Sequence, residues 1–239
     1  SNWDVHKVTS MQGMFFQANA FSGNLSKWDV GQVSYMDNMF NAANAFNQDV
    51  SKWNVEQVYS MSWMFSQAHV FNQDLSKWNV GKVACMQGMF YQASAFNQDL
   101  SKWNVGEVTD MSFMFREARV FNQDLSKWNV GKVTDMQGMF SDASSFNQDL
   151  SRWNVDRVTD MRMMFSEATS FQQVLCGEAW VNSKADKKDM FIGSFGSIAP
   201  DPCTYTTSFS SIWALKDALD ICFALSPKGD RSNRPKPIP

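Results

Sequence analysis

Five aspartates, Asp49, Asp74, Asp99, Asp124 and Asp149, recur every 25 residues, and three residues beyond each stands a cation: Lys52, Lys77, Lys102, Lys127 and Arg152. Carboxylates brought to within about 5 Å of one another repel by about 1 kcal/mol even in water, so such a row needs compensation. Calcium would supply it through carboxylate oxygens, with Asp74, Asp99 and Asp124 as the ligands. The cations supply it equally, leaving the aspartates free to cap the amides of their own turns. The matching cation row favours the second chemistry and leaves calcium as the weaker candidate, so no metal and no other cofactor is expected.

Other chemistry is thinly represented. The two histidines, His6 and His69, fall in different phases of the pattern and have no recurring acidic or cysteine partner. Metalloprotease H-E-x-x-H, a glycine-rich phosphate loop and G-x-S-x-G are all missing from the sequence. An ice-binding face would need an unbroken threonine row, but the best one reads Thr9, Ser34, Tyr59, Ala84, Thr109, Thr134, Thr159. The expectation is a protein without catalytic residues. With 21 Lys+Arg against 24 Asp+Glu there is no basic stripe for nucleic acid. No apolar run is long enough to span a membrane.

The positioning element is a repeat. Trp3, Trp28, Trp53, Trp78, Trp103, Trp128 and Trp153 are spaced 25 apart without a slip, the mark of a solenoid. Within a unit the period changes. Trp28 and Val30 alternate with polar residues, as in a short half-buried strand. Met36, Met39, Phe40 and Ala43 then fall at helical spacing. Thr109/Asp110, Thr134/Asp135 and Thr159/Asp160 stand where a helix N-cap would, and Asn-Gln-Asp supplies a turn. The expected class is α/β: a right-handed leucine-rich-repeat-like solenoid with one short parallel strand and one short helix per 25-residue coil. Nine apolar positions per coil, such as Leu75, Trp78, Val80, Val83, Met86, Met89, Phe90, Ala93 and Phe96, would form its core. One further position alternates in size: Trp63, Gly88, Phe113, Gly138, Met163, following Gly13 and Asn38. That pattern predicts interdigitation between neighbouring coils or duplication of a two-coil block.

The motif W-[DN]-V-x-x-V-[TS]-x-M-x-x-M-F-x-x-A-x-x-F-N-Q-D resembles the BspA-like bacterial surface protein repeat, a leucine-rich-repeat-like family found also in mycoplasma, protist and algal surface proteins. The resemblance covers residues 1–175. It implies a secreted or surface-anchored protein linked to adhesion, and no assigned catalytic residues. The sequence departs from leucine-rich repeats in placing Val33 and its equivalents where a buried Asn would stand.

After Phe171 the pattern fails. Residues 176–203 suit a cap over the last coil, bracketed by Cys176 and Cys203. Four cysteines allow three full pairings; in an oxidising compartment the expected disulfide is Cys176–Cys203. Cys85 is expected to be a buried free thiol, and Cys222 to be unpaired or bonded outside this segment. Residues 208–225 read as an amphipathic helix and "RSNRPKPIP" as a stiff basic tail. The division expected is 1–175 solenoid, 176–203 cap, and 204–239 linker helix and tail leading to a further module. Ser1 falls in mid-pattern, which fits a segment of something longer.

What the core does not need is left for recognition. If Trp and Val point inward, Lys27, Lys52, Lys77, Lys102, Lys127 and Arg152 point outward beside Asn54, Asn79, Asn104 and Asn129. These rows are the candidate ligand surface, suited to glycans or proteins. Asn24-Leu25-Ser26 is the one glycosylation sequon. The function expected is a non-enzymatic extracellular structural or adhesive module of a larger cell-surface or filamentous assembly, its partners being other modules or surface glycans. The alternative is a receptor-like module using the Lys/Asn face.

Overall fold

The computed structural model describes residues 3–203; the expected linker helix and tail at 204–239, with Cys222, lie outside the described residues. Within them, each 25-residue unit is hydrogen-bonded to the next, and the pattern of those bonds explains the backbone. In the fourth unit the amides of Met86, Gly88, Phe90 and Gln92 donate to the carbonyls of Asp110, Ser112, Met114 and Arg116, one unit on. The intervening amides turn inward: Met89 donates to the Met86 carbonyl, Tyr91 to Gly88 and Ala93 to Phe90. Alternate donors therefore serve the neighbour and the unit itself.

This alternation is where the structure departs from the expected helix. The segment equivalent to Met36–Ala43 is a succession of turns in every unit. Its third residue lies in the left-handed region, as at Asn38 (φ 57°), and so does Ala42 (φ 59°), the position where a turn closing from residue i to i+3 accepts positive φ. An α-helix would consume the N–H groups beyond its first turn within itself and leave no alternating row of donors along the segment for the adjacent unit. Met36, Met39, Phe40 and Ala43 nevertheless share one buried side. Turns repeated at this spacing satisfy the same apolar pattern that helical periodicity would.

The expected strand is displaced as well. Trp28 and Val30 are buried and Asp29 is exposed, but this stretch folds as turns, with the Trp28 amide donating to Leu25 and Val33 to Val30. Parallel pairing falls instead on one residue per unit, in the row Ser10, Tyr35, Ser60, Cys85, Asp110, Asp135, Asp160, Asp186. At the tryptophans a side chain replaces the ladder. The indole Nε1 of Trp53, Trp78, Trp103, Trp128 and Trp153 donates to the main-chain carbonyl of residue 25, 50, 75, 100 and 125 respectively, at 2.9–3.1 Å. Each buried indole thus has its partner in the unit before.

Between the two backbone networks lies the core. Phe40, Phe65, Phe90, Phe115, Phe140 and Phe165 stack in a column with centroids 5.6–5.9 Å apart. A parallel column runs from Phe46 through Phe71, Phe96, Phe121 and Phe146 to Phe171 at 5.9–6.2 Å. The columns touch within each unit, as at Phe90 and Phe96, 4.0 Å apart.

Beyond the seventh unit, β1 (Val174–Leu175), α1 (Glu178–Asn182) and β2 (Ser197–Ile198) follow. β1 and β2 pair in parallel, Val174 with Ser197 and Leu175 with Ile198. The Cys176–Cys203 disulfide joins the ends of this segment, its Cα atoms 5.0 Å apart. The segment is an irregular eighth unit. Met161, Met163, Phe165 and Glu167 donate to the carbonyls of Asp186, Lys188, Met190 and Ile192. Trp180 is fully buried and gives its indole N–H to the Leu150 carbonyl at 2.8 Å. Sequence reading missed Trp180 as an eighth tryptophan because α1 lengthens its spacing.

Candidate functional site

The aspartate row resolves into turn caps. Oδ1 of Asp49, Asp74, Asp99, Asp124 and Asp149 accepts the amide N–H of the serine two residues on, at 2.8–2.9 Å. Hydrogen bonding to the Ser51 and Ser76 side chains, then to their amides, holds Asp49 and Asp74 below the usual carboxylate range. For Asp99 and Asp124 the serine amide contributes most and the side chain next. Lys52, Lys77, Lys102 and Lys127 add smaller effects in the same direction. Among the described residues, no three His, Cys, Asp or Glu side chains converge as a bound metal ion would need.

Lys27, Lys52, Lys77, Lys102, Lys127 and Arg152 are all exposed, as are Asn54, Asn79, Asn104 and Asn129. They stand on turns rather than on a sheet face. Each asparagine is already half engaged: Oδ1 of Asn54, Asn79, Asn104 and Asn129 accepts the amide of residue 56, 81, 106 or 131 at 3.1–3.2 Å. The side-chain NH2 of Asn54, Asn104 and Asn129 lies over the turn of the preceding unit, 3.4–3.5 Å from where a Cβ on Gly31, Gly81 or Gly106 would stand. Asn24 is exposed and does for Ser26 what the aspartates do elsewhere, accepting its amide at 2.9 Å.

A different amide row links the units. Oδ1 of Asn47 accepts the Asn72 amide at 3.0 Å and the Gln73 side chain at 2.9 Å. Asn72, Asn97, Asn122 and Asn147 repeat the clip onto the unit that follows each of them. The Asn-Gln of the repeated motif, expected to act within a turn, therefore ties neighbours together.

The second acidic row occupies the pairing positions. Asp110, Asp135 and Asp160 each cap the amide two residues on, at 2.8–2.9 Å. Burial pushes the Asp135 carboxyl above its ordinary range, with the hydrogen bond from Gln137 opposing it and the charges of Asp110 and Asp160 adding to it. Arg162 pairs with Asp160 at 2.5 Å, and this bond holds Asp160 low. Cys85 interrupts the row as a free thiol, half-buried rather than buried, receiving the Ser62 hydroxyl at 2.9 Å. His6 meets Asp4, which raises the pKa of the imidazole; His69 faces the Gln92 carbonyl at 3.0 Å.

One cluster escaped the sequence reading. The alternating row implies interdigitation or a duplicated two-coil block, and the close fit is there: the Trp63 ring lies over Gly88, where a Cβ would collide with it, and a Cβ on Gly138 would come within 2.9 Å of Phe113. The large residues also converge outward. Trp63 and Phe113 stack at 6.4 Å, Tyr91 meets Trp63 edge-on at 5.6 Å, and the Arg116 guanidinium stands 5.9 Å over Phe113. With Asn41, Ser66 and Gln67 they line an open concavity of about 370 Å3. The signal was in the sequence: these are unit-specific side chains in an otherwise monotonous repeat.

Residues 1–103 and again residues 86–197 match the family described as "Mycoplasma protein of unknown function, DUF285". The chain belongs to that family. The two matches overlap, as expected when a model built on repeats can be laid on the chain in more than one register. No curated protein matches the chain.

Proposed function

We propose that this chain is a non-enzymatic structural or adhesive module, an α/β solenoid of leucine-rich-repeat-like winding, that forms one segment of a larger extracellular or cell-surface assembly. The observation that carries the reading is the way the repeated side chains are spent. Phe, Trp, Leu and Met fill the stacked core, Asn and Gln clip unit to unit, and Asp caps turns. What recurs serves length and rigidity. The Cys176–Cys203 disulfide supports an oxidising compartment, and the likeness of the motif to BspA-like surface repeats supports the cell surface.

The exposed cation row favours a second reading, a receptor-like module that takes glycan or protein on the Lys/Asn face. One experiment separates them. The 239-residue chain, its Lys77→Glu/Lys102→Glu variant and a version ending at residue 203 are compared for self-association by light scattering and for retention on heparin. An assembly module keeps its association after charge reversal and loses it on removal of residues 204–239. A receptor-like module shows the opposite: heparin retention disappears on charge reversal and survives the truncation.

A further inference from the structure

Trp63 and Phe113 occupy a backbone position that glycine adopts at least cost. Both lie at φ 58°, in a row whose glycines lie at 56–62° and which also holds Asn38 and Met163 at 57–58°, and a bulky side chain there is disfavoured. Glycine at 13, 88 and 138 shows that the fold accepts the small residue. Neither ring is wholly covered: Trp63, Tyr91, Phe113 and Arg116 are all half-buried, unlike the core rings beneath them. The position is filled with aromatic surface that the core does not consume.

The polar groups around those rings are arranged for a ligand. The Trp63 indole N–H is satisfied by Gln87 Oε1 at 3.1 Å, which fixes the ring plane. Arg116 Nε is shielded from solvent and has no hydrogen-bond partner; the nearest carboxylate oxygen, on Asp142, is 4.0 Å away. That pairing leaves the local charge balanced, and the two terminal guanidinium nitrogens, which unlike Nε are not shielded, have no hydrogen-bond partner among the described residues. Gln67 contributes an amide at the rim of the concavity and Asn41 its Oδ1, the Asn41 NH2 being held by Asn38 Oδ1 at 2.8 Å. Flat apolar faces bordered by amides and a charge-paired guanidinium suit a molecule with a flat C–H face and a hydroxylated edge. A charge-balanced site gives no advantage to a sulfated or carboxylated one.

We propose that the concavity formed by Trp63, Tyr91, Phe113 and Arg116 binds a neutral hexopyranose glycan, with sugar rings lying on Trp63 and Phe113 and hydroxyls meeting Arg116, Asn41 and Gln67. The site is separate from the Lys/Asn rows and does not rest on either reading of the chain's role. Aromatic and arginine side chains of this kind carry most of the energy where they anchor a ligand.

The test uses the full chain and saturation-transfer NMR with cellohexaose, chitohexaose and maltohexaose, with heparin as the acidic comparison. At least one neutral hexasaccharide is expected to bind with a Kd at or below about 1 mM. Arg116→Ala and Trp63→Ala are each expected to weaken it by about tenfold or more, and Lys77→Glu/Lys102→Glu to leave it unchanged. Because Trp63 also covers Gly88, its variant counts only if it melts cooperatively; Arg116→Ala and Gln67→Ala decide the matter otherwise. No saturation transfer to any of the three neutral sugars overturns the proposal. So does transfer that persists unchanged in Arg116→Ala and Gln67→Ala, or tighter binding of heparin that depends on the lysines.

Discussion

Two regions of this molecule do the same job with different parts. Between residues 25 and 171 each unit meets the next through alternate backbone donors, an indole bond, two phenylalanine columns and an Asn-Gln clip. The closing unit, residues 172–203, keeps the backbone donors, one tryptophan and one ring of the inner phenylalanine column, Phe191. Its clip ends at Asn147: beyond it, the Phe195 and Ser197 amides take the carbonyls of Phe171 and Gln173 directly. In place of the outer column's next ring stands Gly196, beneath the Phe171 ring. The comparison separates what stacking demands from what regularity merely permits. Donor alternation, the buried indole and one column ring persist where the clip and the second column are lost, and a covalent link stands where side-chain repetition stops.

The largest effect expected from that contrast is in the middle of the stack. Phe115→Ala removes a fully buried ring flanked by Phe90 and Phe140 and is expected to cost about 3–5 kcal/mol in urea unfolding. Phe191→Ala, on a half-buried ring with stack neighbours on one side only among the described residues, is expected to cost well under half as much; equal losses would contradict the view that the closing unit is a lid. Next comes the covalent link. Replacing Cys176 and Cys203 by serine is expected to cost about 3 kcal/mol. Amide hydrogen exchange should quicken in residues 172–203 and stay slow at Met86 to Gln92. Uniform acceleration would mean that closure supports the whole stack.

Smaller effects sharpen the comparison. Trp128→Phe deletes the indole bond to the Leu100 carbonyl and is expected to cost about 1–2 kcal/mol, measured by thermal unfolding. Asn97→Ala removes one clip at a cost of about 1 kcal/mol, whereas Gln172→Ala, where only the backbone amide takes part in the last clip, is expected to change little. The smallest effect is electrostatic. The raised Asp135 carboxyl means that the folded chain holds its proton to higher pH than the unfolded chain does. Its favourable contribution is therefore present below the unfolded pKa and lost as pH rises through the folded one. Asp135→Asn keeps an acceptor for Gln137 and is expected to raise neutral-pH stability by about 0.5 kcal/mol after solvent screening. Asp74 works the other way. Its lowered carboxyl adds stability above its unfolded pKa and loses it as pH falls through the folded value, so Asp74→Asn is expected to flatten the acid limb of a melting-temperature profile.

How much of this was legible beforehand depended on which physical quantity a residue reports. Burial was legible, because apolar spacing reports it directly: the nine positions named for the fourth unit are all buried. The backbone path was not. Met86, Met89, Phe90 and Ala93 read as one face of a helix, yet the same spacing accommodates turns whose alternate amides point at the neighbour, and nothing in an apolar pattern tells a donor where to aim. The clue lay in the row containing Gly13, Gly88 and Gly138, where glycine flags the positive φ that a helix interior would not contain. For the sites, Asp74 and its equivalents were legible as turn caps because the acceptor and its serine lie two residues apart. The Asn72–Asn97 clip was not, since its partners meet only after the units are stacked. Trp63 and Phe113 were legible as members of one alternating row, but Tyr91 and Arg116 stand at another phase of the repeat, and only the stacked units bring them beside it.

The glycine-over-aromatic fit also governs how the chain can change length. Removing the 25 residues of the unit that contains Gly88 would leave the phenylalanine, indole and amide rows in register, since each restarts at the same phase. It would also bring Phe113 beneath the Trp63 ring, where even a Cβ collides. Removing 50 residues, from Trp63's neighbour to the next glycine of the row, would bring Gly138 there instead. In this part of the chain the inner rows tolerate the loss of any single unit, whereas the outer row tolerates the loss of a unit that carries a large residue, such as Phe113, and not of the unit that carries Gly88.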